Sequence, residues 1–511
     1  MVTVFSFSEP ESLALQKVVN MEKKSKSAEI NAKLNHPVID SDGHTVEFEP
    51  GFFDCMVRVA GQKVSDRFRK EWDRCNNAAS LSSLHNWYNL SADERRDQRA
   101  TRSPWWALPM KNTLDHATSS LPKLLYERLD ETGLDYTVLY PSAGLFAPHI
   151  DDEELRKAGC RGFNTFHAEI FREYADRMTP VAVIPMHTPG EAIEELEYVV
   201  KQLGFKAVMM AGHVVRPIPY VTRKAPEVAR FSYWVDNLCI DSAYNYDLVW
   251  AKCVELGVPP TFHSGAMGWG SRTTISNYMY NHIGHFGAAG EALSKAMFFS
   301  GVTRRFPSLR CAFLEGGVGW AANLYADLIG HWKKRNLEGM DNYNPANLNV
   351  ELLVDLYRRY GGKMVEGKLE QLSRRSASIV HGNKEDHPLD DFAAAGIKQP
   401  QDIKELFVPN FFFGCESDDP INAAAFNTKI NPYGARLNAV LSSDIGHWDV
   451  PDITEVLEEA YELVEDKVIT EDDFRDFTFT NPVKLWTDMN PNFFKGTAVE
   501  SAVDKILKHA A

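Results

Sequence analysis

The chain reads as an α/β protein built as a (β/α)8 barrel of the TIM type. Eight short apolar runs of strand length recur along it, mostly separated by stretches with apolar residues at helical spacing. The runs are continuous rather than alternating in polarity, as expected of parallel strands buried on both faces. No G-x-G-x-x-G follows the first run, which argues against an open doubly wound sheet with a phosphate loop.

Taken in order, residues 1–35 are polar, carry the basic run MEKKSK, and are expected to form an extension outside the main fold. Strand one lies in His36 to His44, HPVIDSDGH. Residues 48–120 are irregular or helical, with an aromatic cluster at Trp105 and Trp106. So long a segment between a first strand and its helix reads as a lid. From Leu121 the rhythm is regular: LPKLLYERLDETG is a helix stopped at Gly133, and DYTVLYPS is strand two. A helix over 152–177 leads to PVAVIPMH, and GEAIEELEYVVKQLG leads to FKAVMMAGH. NYDLVWAKCVELG leads to VPPTFHSG, and a helix over 284–303 leads to LRCAFLEGG. After the helix GWAANLYADLIGHWKKR, charged material over about 336–405 breaks the pattern as a helical insertion between strands six and seven. PNFFFGCESDD and NAVLSSDIGHWD complete the eight, and two helices follow. The barrel is placed at 36–490 and a tail at 491–511.

Composition narrows the function. With 55 basic and 70 acidic residues the formal charge is −15, which argues against a nucleic-acid or anionic-membrane surface. No apolar run reaches the ~18 residues needed to span a bilayer. The amino terminus lacks a basic start followed by an apolar core, so no secretory leader is expected. Seven scattered cysteines without a C-x-x-C pair fit reduced thiols and a cytoplasmic setting.

The chemistry of such a barrel sits at the carboxyl ends of its strands. Strand one offers Asp42 and His44, two residues apart and therefore on one face of an extended strand. A carboxylate and an imidazole so placed can grip one divalent ion. Strand five offers His263, strand six Glu315, and strand eight Asp444 with His447 close behind. Each has an ordinary alternative: Ser-Asp-Gly is turn chemistry, Glu315 before Gly-Gly could cap a helix, and a histidine after a strand can be a bonded core residue. Three carboxylates converging on one mouth need a cation to balance them. His282 and His285, at i and i+3, share a helix face; one could reach the mouth as ligand or proton carrier, and surface packing stays open. Trp269, Arg272, Trp105 and Trp106 are the candidates for substrate contact.

VIDSDGH, ELGVPPTFHSG, GVTRRFPSLRCAFLEGGVGW and SSDIGHWD together resemble the amidohydrolase superfamily. They are most similar to the amidohydrolase-related branch that holds the aminocarboxymuconate-semialdehyde and resorcylate decarboxylases. The resemblance runs from about residue 37 to 487. It implies that Asp42, His44, His263 and Asp444 bind a divalent metal (zinc, manganese or iron, one ion or two), with Glu315 and His282 as further ligands. The implied chemistry is hydrolysis or non-oxidative decarboxylation of a small carbonyl or carboxylated substrate, with Asp444 moving the proton and His285 or His447 assisting. Strand four ends in Met209-Met210, so no carbamylated lysine is expected, and Glu315 stands where the decarboxylases carry a catalytic histidine. A non-haem diiron monooxygenase on the same barrel is the implied alternative, and a barrel using its metal only as a structural staple is a third reading. A homodimer or larger assembly is expected from the resemblance alone.

Overall fold

The computed structural model describes residues 24–78, 87–102, 111–263, 270–343, 347–372, 390–447 and 449–510. Eight parallel strands form one sheet: β1 (Ile39–Thr45), β2 (Tyr136–Pro141), β3 (Met178–Ile184), β4 (Ala207–Met210), β5 (Pro260–Phe262), β6 (Cys311–Phe313), β7 (Phe411–Cys415) and β8 (Asn438–Leu441), paired in chain order. Just beyond the end of β8 the chain returns to β1: Asp444 N donates to Asp42 O at 2.9 Å and His44 N to Ile445 O at 2.7 Å. The sheet is thereby a (β/α)8 barrel of the expected kind.

The continuous apolar runs are explained by two cores. Ile39, Val138, Tyr140, Val183, Met209, Leu314 and Val440 belong to one buried cluster, which continues to Trp486, Phe493 and Phe494 beside the strand starts. Leu139, Ala182, Ile184, Met210, Phe313 and Leu441 belong to the other, packed under the helices. Alternate residues of one strand thus enter opposite cores, and both are dry. Met209 is a buried member of the first core, so strand four carries a thioether there and no lysine.

Asp40 does not belong to the mouth. Its carboxylate is buried, accepts from Thr137 Oγ1 at 2.6 Å and from the N–H groups of Ser443 and Asp42 at 2.9 and 3.2 Å, and so sews β1 to both neighbours. The register of β1 against β2 slips between Asp40 and Gly43, a bulge that re-aims the residues after it. Gly43 has no room for a side chain: a Cβ would lie 2.8 Å from Asp40 Oδ2.

Several boundaries differ from the sequence reading. Residues 24–35, expected outside the fold, include a helix (Lys26–Asn31) that docks on it: Ile30 and Ser27 are buried, and Ser27 Oγ accepts from Glu458 N. The expected tail over 491–511 covers the strand starts through Phe493, Phe494, Val499 and Val503. Two short antiparallel strands, Val214–Pro217 and Tyr233–Asp236, lie between β4 and the helix Asp247–Leu256, beyond the eight strands that the sequence announces. The insertion between β6 and β7 is helical where described, but its final helix, Pro400–Phe407, buries Ile403, Leu406 and Phe407 against the barrel layer. None of the six described cysteines is in a disulfide, and among the described residues no helix is long and apolar enough to cross a membrane.

Candidate active site

Four strands deliver the polar cluster. Asp42 and His44 lie on β1, His263 follows β5, Glu315 follows β6, and Asp444 and His447 follow β8. The Nε2 atoms of His44 and His263 face one another at 3.1 Å, and Glu315 Oε1 lies 3.0 and 2.8 Å from them. Asp42 Oδ1 and Asp444 Oδ1 are 3.6 and 3.4 Å from His44 Nε2. His447 Nδ1 is 2.7 Å from Asp444 Oδ1, and its ring stacks on His44 at 3.7 Å between centroids. Two of these residues are held in the left-handed region, Glu315 at φ 54° and Asp444 at φ 53°, where a side chain other than glycine is disfavoured. Gly446 (φ 96°) lets the β8 turn pass β1, since a Cβ would sit 2.3 Å from His44 O.

The electrostatics ask for a cation. Burial, and then Glu315, push Asp42 well above the usual carboxylate range; Asp444 is pushed up by the same two causes. Burial opposes ionisation of Glu315 too, but the facing imidazoles of His263 and His44 outweigh it and hold this carboxyl well below its ordinary value. Burial and the neighbouring His447 hold His44 low, so its ring is neutral and able to offer a lone pair. Neither oxygen of Asp42 has a hydrogen-bond donor in bonding geometry, although the residue is wholly buried. Ligands about 2.1 Å from one ion stand about 3 Å apart, the spacing seen between these nitrogen and oxygen atoms. The residues present fit a divalent metal. They form two overlapping groups, Asp42–His44–His263–Glu315 and His44–Glu315–Asp444–His447, which share His44 and Glu315.

The structure does not bring every candidate into these groups. His285 is buried at the start of the helix His285–Phe299, its ring against Phe286 at 4.0 Å, and burial together with His282 pushes it down to about 3. His282 ends the preceding helix beside Tyr278 and His285. Among the described residues neither joins a ligand group. Arg272 is half-buried on the loop after β5, with Nη2 donating to Ile283 O at 3.2 Å and Nε buried without an acceptor. Trp269, Trp105 and Trp106 lie outside the described residues. Part of the long segment after β1 is clasped to the β5 loop: Trp87 Nε1 donates to Ile275 O and Asn281 Nδ2 to Arg102 O, both at 2.7 Å.

Three residues at the mouth escaped the sequence reading. Glu47 and Ser142, in the turns after β1 and β2, contact the turn after β2 and His447 respectively. Glu416 follows β7, and burial and the charge of Glu315 push it up to about 7. Only their place one or two residues past a strand end could have flagged them.

A barrel with a buried histidine–carboxylate cluster at its strand ends defines a class of metal-site proteins. Residues 85–339 match the family model described as Amidohydrolase, and the chain belongs to the amidohydrolase superfamily. Among solved structures it is similar to an amidohydrolase from Mycobacterium avium subsp. paratuberculosis K-10, with 15% identity over 89% of this chain and 100% of that chain and a TM-score of 0.47. A 2,6-dihydroxybenzoate decarboxylase from Rhizobium is 15% identical over 88% of this chain and 99% of its own, with a TM-score of 0.45. A 5-carboxyvanillate decarboxylase from Sphingomonas paucimobilis is 14% identical over 88% and 98%, with a TM-score of 0.46. No curated protein matches the chain.

Proposed function

We propose that the chain is a metal-dependent enzyme acting on a small carbonyl or carboxylated organic substrate, by non-oxidative decarboxylation or hydrolysis. The observation that carries this is the convergence of two imidazole nitrogens and three carboxylates, with both oxygens of Asp42 buried and unsatisfied. His44, His263, Asp42, Asp444 and Glu315 would hold the ion. A divalent ion there supplies polarisation of a carbonyl oxygen or a lowered pKa for bound water. Asp444, with His447 Nδ1 beside it at 2.7 Å, would exchange a proton with the substrate. Arg272, whose Nε is buried without an acceptor, would orient a substrate carboxylate. The residue at the decarboxylase histidine position is Glu315, so the proton carrier in this chain is assigned to Asp444.

The test is metal content after purification without added metal, followed by reloading of stripped protein with manganese, zinc or iron. Release of carbon dioxide from dihydroxybenzoates and hydrolysis of simple lactones and amides are then measured. Retention of one or two ions per chain and turnover that returns only with metal support the reading. Protein that neither retains a metal nor gains thermal stability on adding one overturns it. No specific observation favours the diiron monooxygenase over this reading. A homodimer or larger assembly belongs to the proposal and is tested by sedimentation, where a monomer at micromolar concentration would refute it.

A further inference from the structure

His447 has two ring nitrogens with different neighbours. Nδ1 faces Asp444 at 2.7 Å, and Nε2 lies 3.0 Å from the hydroxyl of Ser142. In a neutral imidazole one nitrogen carries the proton and the other a lone pair, and the partner of one decides the role of the other. Ser142 opens the turn after β2, and that turn is latched to the end of β1 by three bonds. Ser142 N donates to Thr45 O at 2.9 Å, Ala143 N to Glu47 Oε2 at 2.9 Å, and Gly144 N to Glu47 Oε1 at 3.2 Å. The turn is tight, because a Cβ on Gly144 would sit 2.6 Å from Pro141 Cβ. The Glu47 carboxylate is buried, and its nearest ring, His167 Nε2 at 3.5 Å, is held neutral by burial. A buried carboxylate without a cation costs several kcal/mol unless other donors satisfy it; here two backbone N–H groups do so.

We propose that Glu47 and Ser142 are positioning residues for His447: Glu47 holds the turn after β2, and that turn aims the Ser142 hydroxyl at Nε2. The hydroxyl donates, Nε2 accepts, and the ring proton sits on Nδ1 directed at Asp444. His447 is then a proton carrier beside Asp444 and not a metal ligand. The proposal rests on the reading of Asp444 as the proton-exchanging carboxyl, but its test does not require turnover.

The experiment is ¹⁵N spectroscopy of the histidine rings in metal-free and zinc-loaded protein, with His447 assigned through His447→Gln. The expected wild-type pattern is a protonated Nδ1 and a hydrogen-bonded, unprotonated Nε2, the same with and without zinc. Ser142→Ala should move the Nε2 resonance towards that of a nitrogen without a partner, and Ser142→Thr, which keeps the hydroxyl, should restore it. Glu47→Gln replaces one acceptor oxygen by an amide that points hydrogens at a backbone N–H, so the turn loosens and the same resonance moves the same way. Three results overturn the proposal: an Nε2 resonance unmoved by Ser142→Ala, one unmoved by Glu47→Gln, or loss of the Nδ1 proton on adding zinc. Zinc content is read on the same samples, so failure of metal binding is told apart from failure of the positioning role.

Discussion

The floor and the mouth of this barrel are made of opposite materials. At the floor Trp486 stacks on Phe493 at 4.9 Å, Phe494 meets Tyr136 edge-on at 5.3 Å, and all four rings are buried. At the mouth three carboxylates and three imidazoles are buried together, with left-handed backbone at Glu315 and Asp444. Packed aromatic surface lowers the free energy of the fold; crowded charge and strained backbone raise it. One end holds the barrel closed, and the other is kept costly by what it is arranged to do.

The comparison can be broken from either side. The largest effect is expected at the floor: Trp486→Ala should destabilise by about 3–5 kcal/mol in urea titration while metal content per folded chain stays unchanged. A loss of metal from that variant would mean the two ends are coupled. Next comes Gly446→Ala, where a Cβ would meet His44 O at 2.3 Å with φ at 96°. It should cost about 1–3 kcal/mol and also weaken metal retention, because the clash falls on the backbone of His44, a proposed ligand. At the mouth, Asp42→Asn should lower metal affinity at least about 10–100-fold, yet leave the metal-free protein as stable as wild type or more so. The amide mimics the protonated carboxyl that burial and Glu315 already favour, and equilibrium dialysis beside thermal melting separates the two quantities. A metal-free Asp42→Asn protein that melts well below wild type would end the claim that the mouth is bought with stability.

The smallest effect is in pH. Burial, the sole cause, pushes Lys206 at the floor down to about 8, where it donates to Phe493 O. The folded chain gives up this proton before the unfolded one, whose lysine titrates near 10.5, so stability should rise as pH climbs from about 8 to 10.5. Glu47 has the opposite sign: burial pushes it up to about 7 against the opposing backbone N–H bonds from Ala143 and Gly144. The folded state holds this proton where the unfolded chain, near 4.5, has lost it, so stability should fall as pH rises from about 4.5 to 7. Lys206→Met and Glu47→Gln should each flatten the urea midpoint in its own window.

The barrel was legible because each strand is dry on both faces, so a continuous apolar run is all that burial requires. Asp42, His44, His263, Glu315 and Asp444 were legible for a related reason, since an ionisable group directly after such a run has few places to go. The antiparallel pair around Arg216 and Asp236 was not, because its strands are half-exposed and their ion pair joins positions on either side of an irregular stretch. Glu47 and Ser142 were invisible because polar residues in turns are ordinary, and only the folded distance to Ala143, Gly144 and His447 makes them special. For His282 and His285, helical spacing gave one shared face without saying which way that face would turn.

The seam that closes the barrel is also where the cluster forms, and this has a consequence for how the molecule is made. Ser443 N reaches Asp40 across 403 residues of sequence, and Asp444 joins Asp42 and His44 beside it. Pairing over so long a separation comes late in folding, because the intervening chain must first be gathered in. A chain still being synthesised therefore has half the cluster, Asp42 and His44 on its first strand with no partner from its last. If the cluster holds a metal as proposed, its uptake would report completed folding, and a bound ion would slow the reopening of that seam once it has closed.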